Sequence, residues 1–451
     1  MQQNRLLKND FKIHGNNFGF RTIHYLGSKL RSLEFIKKTI DDLDPGKKGV
    51  CDLFSGSGVV SHYLSQDRHI ISSDIQTYST IINKALLSPV KDNFTSNFIK
   101  KIKREKLIEI ELKKFKKLIN FENQILKKGN KNVDKVCNFL ENCSIYNFVY
   151  EKNKNIDKEL KEILSYSYSI IKKNQKKYII TKFYGGLYFS FKQSIILDTL
   201  LFQINLLNEK YKNFFLACLL STASDLVNTV GKQFAQPIRP RDKNNKPKSQ
   251  LVNQMQKDRT LDVVQNFEKW IEKYSTLTVK SKNHKIFNLD FKKTLEKMDQ
   301  NIRIVYADPP YTRDHYSRFY HVLETISLSD SPTVSKTKIG GKLKNSRGMY
   351  RENRHQSEFC IRSKAPKAFE YLFNAVSQKD KILVLSYSPY DQNKKSHPRV
   401  VTLGFLKELA KKYFKFVEIK SIGKFTHNKL NKTSLHLNVL DEAELLIVCK
   451  N

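Results

Sequence analysis

The run Gly49–Phe54, GVCDLF, leads straight into Ser55-Gly56-Ser57-Gly58, and this junction constrains the fold more than any other stretch of the chain. A short apolar segment entering small residues suits a strand buried on both faces, as in a parallel sheet. Gly56 and Gly58 tolerate positive φ and let backbone amides approach a ligand closely. A second apolar run, HIISSD (His69–Asp74), follows after a helical spacer. From Tyr25 to about Lys84 the texture reads as loop, helix, strand, glycine turn, helix, strand: a βαβ unit with its ligand at the carboxyl ends of the strands. The turn is not a Walker A loop, because no Gly-Lys-Ser/Thr follows. It is not a full dinucleotide fingerprint either, because Ser61 stands where the third glycine belongs. Alone, it also fits a plain strand–helix turn. Asp74 ends the second run, where a carboxylate can accept hydrogen bonds from both ribose hydroxyls of a nucleoside cofactor. A helix N-cap is its alternative.

The run IRIVYAD (Ile302–Asp308) opens Asp308-Pro309-Pro310-Tyr311, and these four residues point to a chemistry. Adenine N6 is a poor nucleophile because its lone pair is delocalised into the ring. A carboxylate at Asp308 and the backbone carbonyl of Pro309 can accept both amino hydrogens. That pushes the nitrogen toward sp³ and frees the lone pair for in-line attack on a sulfonium methyl. The prolines stiffen the turn and keep that carbonyl out of a local ladder. Tyr311 offers a flat face to an extruded base. In isolation the four residues make an ordinary turn; after a buried strand, a glycine turn and Asp74, they read as catalytic.

Residues 1–24 read as a leader of mixed polarity. From about Asn93 to Asn283 the texture changes: Lys100–Lys117 and Asp157–Lys173 are Lys-rich, with apolar residues at helical spacing. The chain thus divides into 1–92, a mostly helical insertion over 93–283, and 284–451. Within the insertion, Tyr184–Leu200 and Ser221–Lys248 are distinctive, and the second ends in a basic, Pro-containing stretch expected as an exposed loop. Strand–helix texture resumes at Lys285. A strand is expected at Lys381–Ser388, a helix at Leu403–Tyr413, and strands at Phe416–Ile422 and Glu444–Lys450. No internal repeat is visible.

A formal net charge of +37, from 81 basic and 44 acidic side chains, favours a polyanionic partner, since neutralising phosphates releases counterions. Nucleic acid is the first candidate and an anionic membrane surface its competitor; Lys/Asn/Ile-rich coding is a third source of the charge. The six cysteines are scattered without a CxxC pair, which argues against a zinc ribbon and a disulfide framework and for a reducing compartment. No apolar run reaches the ~18 residues that span a bilayer, and the N-terminus lacks a secretory signal. A soluble, intracellular protein is expected, with no membrane partner and no metal.

In order and in residues, these elements resemble the Dam-like, alpha-group adenine-specific DNA methyltransferases. Their N-terminal aromatic-x-Gly-x-Lys element corresponds to Tyr25-Leu26-Gly27-Ser28-Lys29, followed by the S-adenosyl-L-methionine loop, an inserted target-recognition region and the DPPY element. The run Asp308–Ile326 is also similar to members beginning with YxGSK. The resemblance implies an α/β, Rossmann-like methyltransferase core whose seven-stranded mixed sheet has an antiparallel last strand. It implies cofactor contacts from Tyr25, Lys29 (near the cofactor's carboxylate), Phe54, Gly56, Gly58 and the ribose-binding Asp74. Asn288-Leu289-Asp290-Phe291 resembles the acidic-aromatic element that frames the cofactor's adenine, with Asp290 its acid. Asp308 would serve catalysis and cofactor contact together, with Pro309, Pro310 and Tyr311 beside it. It further implies double-stranded DNA as partner and a cytoplasmic, nucleoid-associated bacterial setting; no nuclease motif is apparent in the sequence, so any restriction endonuclease is expected to be a separate chain.

Downstream, Lys336, Lys338, Lys342, Lys344, Arg347, Arg351 and Arg354 form a basic, glycine-containing stretch, expected to contact DNA phosphates or else to be a solvated loop. His315, Tyr316, Arg318 and Tyr320 are expected to line the base pocket or grip the flipped strand, with core packing the alternative for Tyr320. Three rival readings stand beside a DNA methyltransferase. One is methylation of an RNA adenine or a protein amide, which often goes with Asn in place of Asp308. Another is a membrane-surface protein, which leaves Asp308–Tyr311 unexplained. The third is a catalytically silent DNA-binding module.

Overall fold

The computed structural model describes residues 21–90, 94–129, 131–151, 156–277, 279, 283–388, 399–421 and 444–451. Most of the expected leader and the expected strand end at Ile422 lie outside the described residues. The strands are β1 (Gly49–Asp52), β2 (Ile70–Ser73), β3 (Lys285–Phe287), β4 (Ile302–Ala307), β5 (Lys336–Ile339), β6 (Lys342–Asn345), β7 (Ile382–Tyr387), β8 (Phe416–Ser421) and β9 (Leu445–Lys450). Seven of them form one sheet in the order β3-β2-β1-β4-β7-β9-β8, and β5 and β6 form a separate hairpin. The pairs from β3 to β7 are parallel. β9 runs antiparallel to both of its neighbours. This is the Rossmann-like methyltransferase sheet that the resemblance implied. The winding reverses between β1 and β4, which makes a crevice at their carboxyl ends.

Alternate residues of each strand enter opposite cores, as the period of two requires. Val50, Ile70, Ile304 and Val384 join one hydrophobic cluster, and Cys51, Ile71, Val305 and Leu385 join the other. Because helices cover both faces, β1, β2 and β7 are buried throughout and read as near-continuous apolar runs. Helices Ala365–Gln378 and Leu403–Lys411 close the second face.

Among the described residues, only helices and connecting segments separate β2 from β3. They do not make one lobe. Phe183, Leu197, Leu200 and Phe214–Leu220 belong to the same core as the sheet's helix Thr77–Leu87. Helices Lys116–Lys127, Val133–Asn142 and Lys158–Lys173 surround a third core, apart from the two at the sheet, around Leu118, Phe139 and Leu164. The insertion is therefore less uniform than its sequence texture suggests, because helical spacing shows that a face is apolar, not which core receives it.

The distinctive segment beginning at Tyr184 ties these parts together. Gly186 has φ +75°, where a Cβ would sit 2.6 Å from Cys143 Sγ. Ser190 and Gln193 then form a reciprocal capping box that starts helix Phe191–Ile204. Arg259 donates to the Gly186 carbonyl at 2.7 Å and pairs with Glu122, whose other oxygen accepts from Phe191 N at 2.7 Å. Both charged side chains are at most 2% exposed.

No described helix is long and apolar enough to cross a membrane. Breaking a buried pair leaves an uncompensated charge, a loss of roughly 3–5 kcal/mol. Arg259→Leu should therefore lower the urea midpoint sharply, and adding Glu122→Leu should restore much of it. A single mutant that unfolds at the wild-type urea concentration would deny this pair its structural role.

Candidate active site

A cavity of about 520 Å³ opens at the carboxyl ends of β1 and β4, a size suited to a small cofactor. Ten of the eleven residues expected at the site line it: Tyr25, Lys29, Phe54, Gly56, Asp74, Asp290 and the four residues Asp308–Tyr311. Gly58 is the exception. It is the N-cap of helix Val59–Leu64 with φ +77°, and a Cβ there would lie 2.5 Å from Leu86 Cδ1. At Gly56, φ +50°, a Cβ would lie 2.6 Å from Tyr25 Oη. The glycines hold the turn tight against the helix behind it and the tyrosine in front.

Asp74 is not the N-cap of the helix that follows, and it has a structural task of its own. Its Oδ2 accepts from Gly56 N at 2.9 Å and its Oδ1 from Gln76 N at 2.8 Å. It therefore ties the glycine turn to the start of helix Thr77–Leu87, whose N-cap is Gln76. Burial pushes its carboxyl upward against these two amide bonds. Asp290 Oδ1 caps helix Phe291–Lys297 through the amides of Lys292 and Lys293. Beside it, Phe54, Phe291 and Phe359 form an aromatic wall with centroids 5.0–5.9 Å apart.

The loop Tyr25–Lys29 is held from the far side of the sequence. Tyr25 stacks on Tyr320 at 5.0 Å, Leu26 N donates to Tyr320 Oη at 2.6 Å, and Tyr316 Oη donates to Leu26 O at 3.2 Å. Tyr320 is thus a core residue, while His315 and Tyr316 line the cavity. Arg318 stacks on Tyr350 at 4.9 Å.

Lys29 then reaches Asp308 Oδ1 at 3.1 Å and Glu444 Oε1 at 3.0 Å. Lys29 and Glu444 are each 7% exposed, and Asp308 is 21% exposed where it meets the cavity. Burial and the Glu444 charge push the Asp308 carboxyl up, against the pull of Lys29. Burial alone would lower the Lys29 ammonium, but the two carboxylates carry it well above its ordinary value. Among the described residues no hydrogen bond ends on the Pro309 carbonyl. The Arg399 guanidinium covers Tyr311 at 4.9 Å.

Sequence reasoning missed two members of this site. Glu444 is contiguous with no motif, and its partner Lys29 is 415 positions away. Asp52 was visible only as the first letter of the glycine-turn motif. It is 1% exposed; Oδ2 accepts from Ser61 Oγ at 2.6 Å, and Oδ1 is buried without a partner on the cavity wall.

The basic stretch splits into two kinds of residue. Lys336, Lys338, Lys342 and Lys344 are exposed on the β5–β6 hairpin, whose Gly340-Gly341 turn has both φ angles positive. Asn345 anchors the hairpin's base to Asn147 at 3.0 Å and to Glu151. The three arginines are folded inward instead. Arg347 donates to Pro237 O at 3.0 Å, Arg351 pairs with Asp330 at 2.5 and 2.7 Å, and Arg354 donates to Arg351 O. Similarly, Lys232 in the distinctive loop donates to Asp258 at 2.8 Å and to two carbonyls. A count of charges does not tell which of them have internal acceptors.

Burial raises the Asp52 carboxyl to about 7. The folded chain therefore holds a proton there that the unfolded chain releases, and stability falls as pH rises from about 4 to about 7. Asp52→Asn removes that penalty, so the mutant's melting temperature relative to wild type should climb across this window and level off above it. Thermal melts from about pH 4 to 8 check this, and a difference independent of pH would contradict it.

The family model for "D12 class N6 adenine-specific DNA methyltransferase" matches residues 25–215 and 245–384. Among curated proteins, the chain is 23% identical to Modification methylase LlaI of Lactococcus lactis subsp. lactis over 87% of its length. It is 24% identical to Type II methyltransferase M.FokI of Planomicrobium okeanokoites over 81%, and 24% identical to Modification methylase StsI of Streptococcus sanguinis over 69%. The aligned parts cover 49%, 44% and 37% of those proteins, so the chain spans about half or less of the relatives it matches. The match of the family model to most of the sequence, glycine turn and DPPY element included, shows that the chain belongs to the D12 class N6 adenine-specific DNA methyltransferase family.

Proposed function

We propose that this chain transfers a methyl group from S-adenosylmethionine to N6 of an adenine in duplex DNA at specific sites. The observation that carries the reading is the position of Asp308 and Pro309, at the end of β4 and across the same cavity from the Gly56 turn. The residues present fit the cofactor. Gly56, packed against Tyr25, brings the glycine turn's backbone to the cavity, and the orphaned Asp52 Oδ1 presents a polar atom on the same wall. When bound, S-adenosylmethionine supplies an electrophilic methyl on a sulfonium. Asp74 and the Phe54–Phe291 wall would hold its nucleoside end, with Asp290 capping the helix behind that wall and Tyr25 and Lys29 closing the opposite side.

Asp308 and the Pro309 carbonyl take the two amino hydrogens of the target adenine, which localises the N6 lone pair. Lys29 engages Asp308 through Oδ1 and leaves Oδ2 as the acceptor. Pro310 stiffens the turn, and Tyr311 stacks the flipped base on the ring face away from Arg399. The proton lost from N6 after transfer passes to solvent through the Asp308 carboxylate.

The stretch 93–283 serves as the target-recognition region, and the exposed lysines of the hairpin bind phosphate. A two-stranded ribbon also fits the major groove. The chain would act beside a separate restriction endonuclease, or alone as an orphan methylase, in the cytoplasm with the nucleoid.

Asp308→Ala should abolish methyl transfer through kcat while leaving duplex binding largely intact, because the lost acceptor acts in the transition state. Single-molecule sequencing of DNA from a methylation-free host that expresses wild type or mutant reads this directly. Near-wild-type N6-methyladenine in the mutant would end the mechanism.

Replacing Lys336, Lys338, Lys342 and Lys344 with Gln should weaken binding to every duplex and flatten its salt dependence. Each phosphate contact contributes roughly 0.9 to the log–log slope. Site preference should survive, since phosphates carry no base identity. An unchanged salt slope would make the hairpin a solvated appendage.

A further inference from the structure

The structure assigns Glu444 a positioning role in methyl transfer: it shares the Lys29 ammonium with Asp308, so that Asp308 keeps the acceptor strength the target amino group needs. This inference rests on the methyltransferase reading above and deepens it.

Glu444 immediately precedes β9, the strand antiparallel to its neighbours. Reversal brings the beginning of β9 to the edge where the parallel strands end, with Leu445 opposite Tyr387. A seventh parallel strand would have put its first residue at the other edge of the sheet. Ser386 Oγ donates to Glu444 Oε1 at 2.5 Å, the same oxygen that accepts from Lys29 at 3.0 Å. Glu444 is therefore fixed to β7 while it pulls on the lysine. Asp308 draws the same ammonium from β4 at 3.1 Å. The other titratable groups that face Asp308 and Glu444 are Tyr306, Tyr311 and, on the Asp308 side, Tyr316 and Asp52, whose carboxyl burial raises to about 7 and which is unchanged in every variant below. Tyrosine hydroxyls carry no charge near neutral pH.

Two carboxylates and one ammonium leave a net charge of −1 in a buried place. An ammonium has three donors and no acceptor, so it can serve both carboxylates at once. Were Lys29 paired with Asp308 alone, the ion pair would be neutral and the carboxylate a weaker acceptor for an amino hydrogen. With Glu444 present, the ammonium is divided and negative charge remains on Asp308. Burial and the Glu444 charge together raise the Asp308 carboxyl above its ordinary value.

Glu444→Gln keeps the shape and an oxygen for Lys29 but removes the charge. It should lower kcat about tenfold or more, the scale of one charge-assisted hydrogen bond. KM for DNA and for S-adenosylmethionine should stay within roughly twofold. The acid limb of the kcat profile should move to lower pH, because the neighbour that raised Asp308 is gone. Glu444→Asp should keep the limb near its wild-type position. A merely structural role would not move that limb.

A melting cycle tests charge sharing without activity. Asp308→Asn should be tolerated in wild type, where Lys29 still pairs with Glu444, but it should be strongly destabilising in Glu444→Gln, where the buried ammonium loses both partners. An unmoved acid limb, or melting shifts that simply add, would overturn the proposal. Absence of methyl transfer by wild type would instead overturn the function, and the melting cycle would still decide whether the charge is shared.

Discussion

β1 and β4 lie side by side and parallel, with Asp52 opposite Tyr306, although the whole helical stretch separates them in the chain. That pairing is the constraint from which the site follows. Parallel strands all end at one edge, so the turn after β1 and the turn after β4 must face each other across the reversal of winding. Asp308 is two residues beyond Tyr306 and so stands within electrostatic reach of Asp52, where its charge adds to burial in pushing the Asp52 carboxyl up. The wall of small residues and the wall of acids are not assembled by separate devices. One hydrogen-bonded register sets both.

A second layer fixes the loop that closes the cavity. Tyr25 fills the space left by Gly56, and Tyr316 and Tyr320 hold Leu26 by its backbone. These two tyrosines follow the DPPY element by only a few residues, so the loop and the turn after β4 are tied by the same short segment. The helix they introduce, His321–Leu328, also meets the insertion, where Thr325 and Tyr184 hydroxyls lie 2.8 Å apart. Tyr188 Oη continues the connection, with its one hydroxyl hydrogen placed between two acceptors, Phe234 O at 2.9 Å and Gly348 O at 3.0 Å. Groups from the insertion, from the helix that follows the DPPY element and from the Gly348 backbone beyond the lysine hairpin thus share one buried polar network.

Much of this architecture is legible in the amino-acid sequence alone. Buried parallel strands announce themselves as apolar runs, and β1, β2, β4 and β7 fall where GVCDLF, HIISSD, IRIVYAD and KILVLSYS predict them. The Gly56 turn, Asp74 and Asp308–Tyr311 are visible because each requires particular residue types at fixed offsets from a strand end. What escapes is of a different kind. Glu444 depends on a contact across 415 positions, and nothing local distinguishes it from a surface glutamate. Arg347, Arg351 and Arg354 look like their neighbouring lysines in a count of charge, yet they find acceptors in Pro237, Asp330 and a main-chain carbonyl. Partnership is a property of the fold, and charge patterning cannot supply it.

The choice between cap and ligand for Asp74 shows how such local readings can both fall short. A carboxylate has two oxygens with about four acceptor positions. Amide hydrogens from Gly56 and Gln76 use one position on each oxygen, and the Ser79 hydroxyl and Ile75 amide also act on the group. The protein contacts aim the group and fix the glycine turn at the same time. A ribose arriving at Asp74 would therefore meet an acceptor already oriented, without the entropy of ordering a free side chain. Asp290 follows the same logic: its Oδ1 caps a helix, and its residue remains on the cavity wall. Both acids thus carry structural bonds of their own, so removing Asp74 would disturb the glycine turn and removing Asp290 the start of helix Phe291–Lys297, whatever the cavity holds.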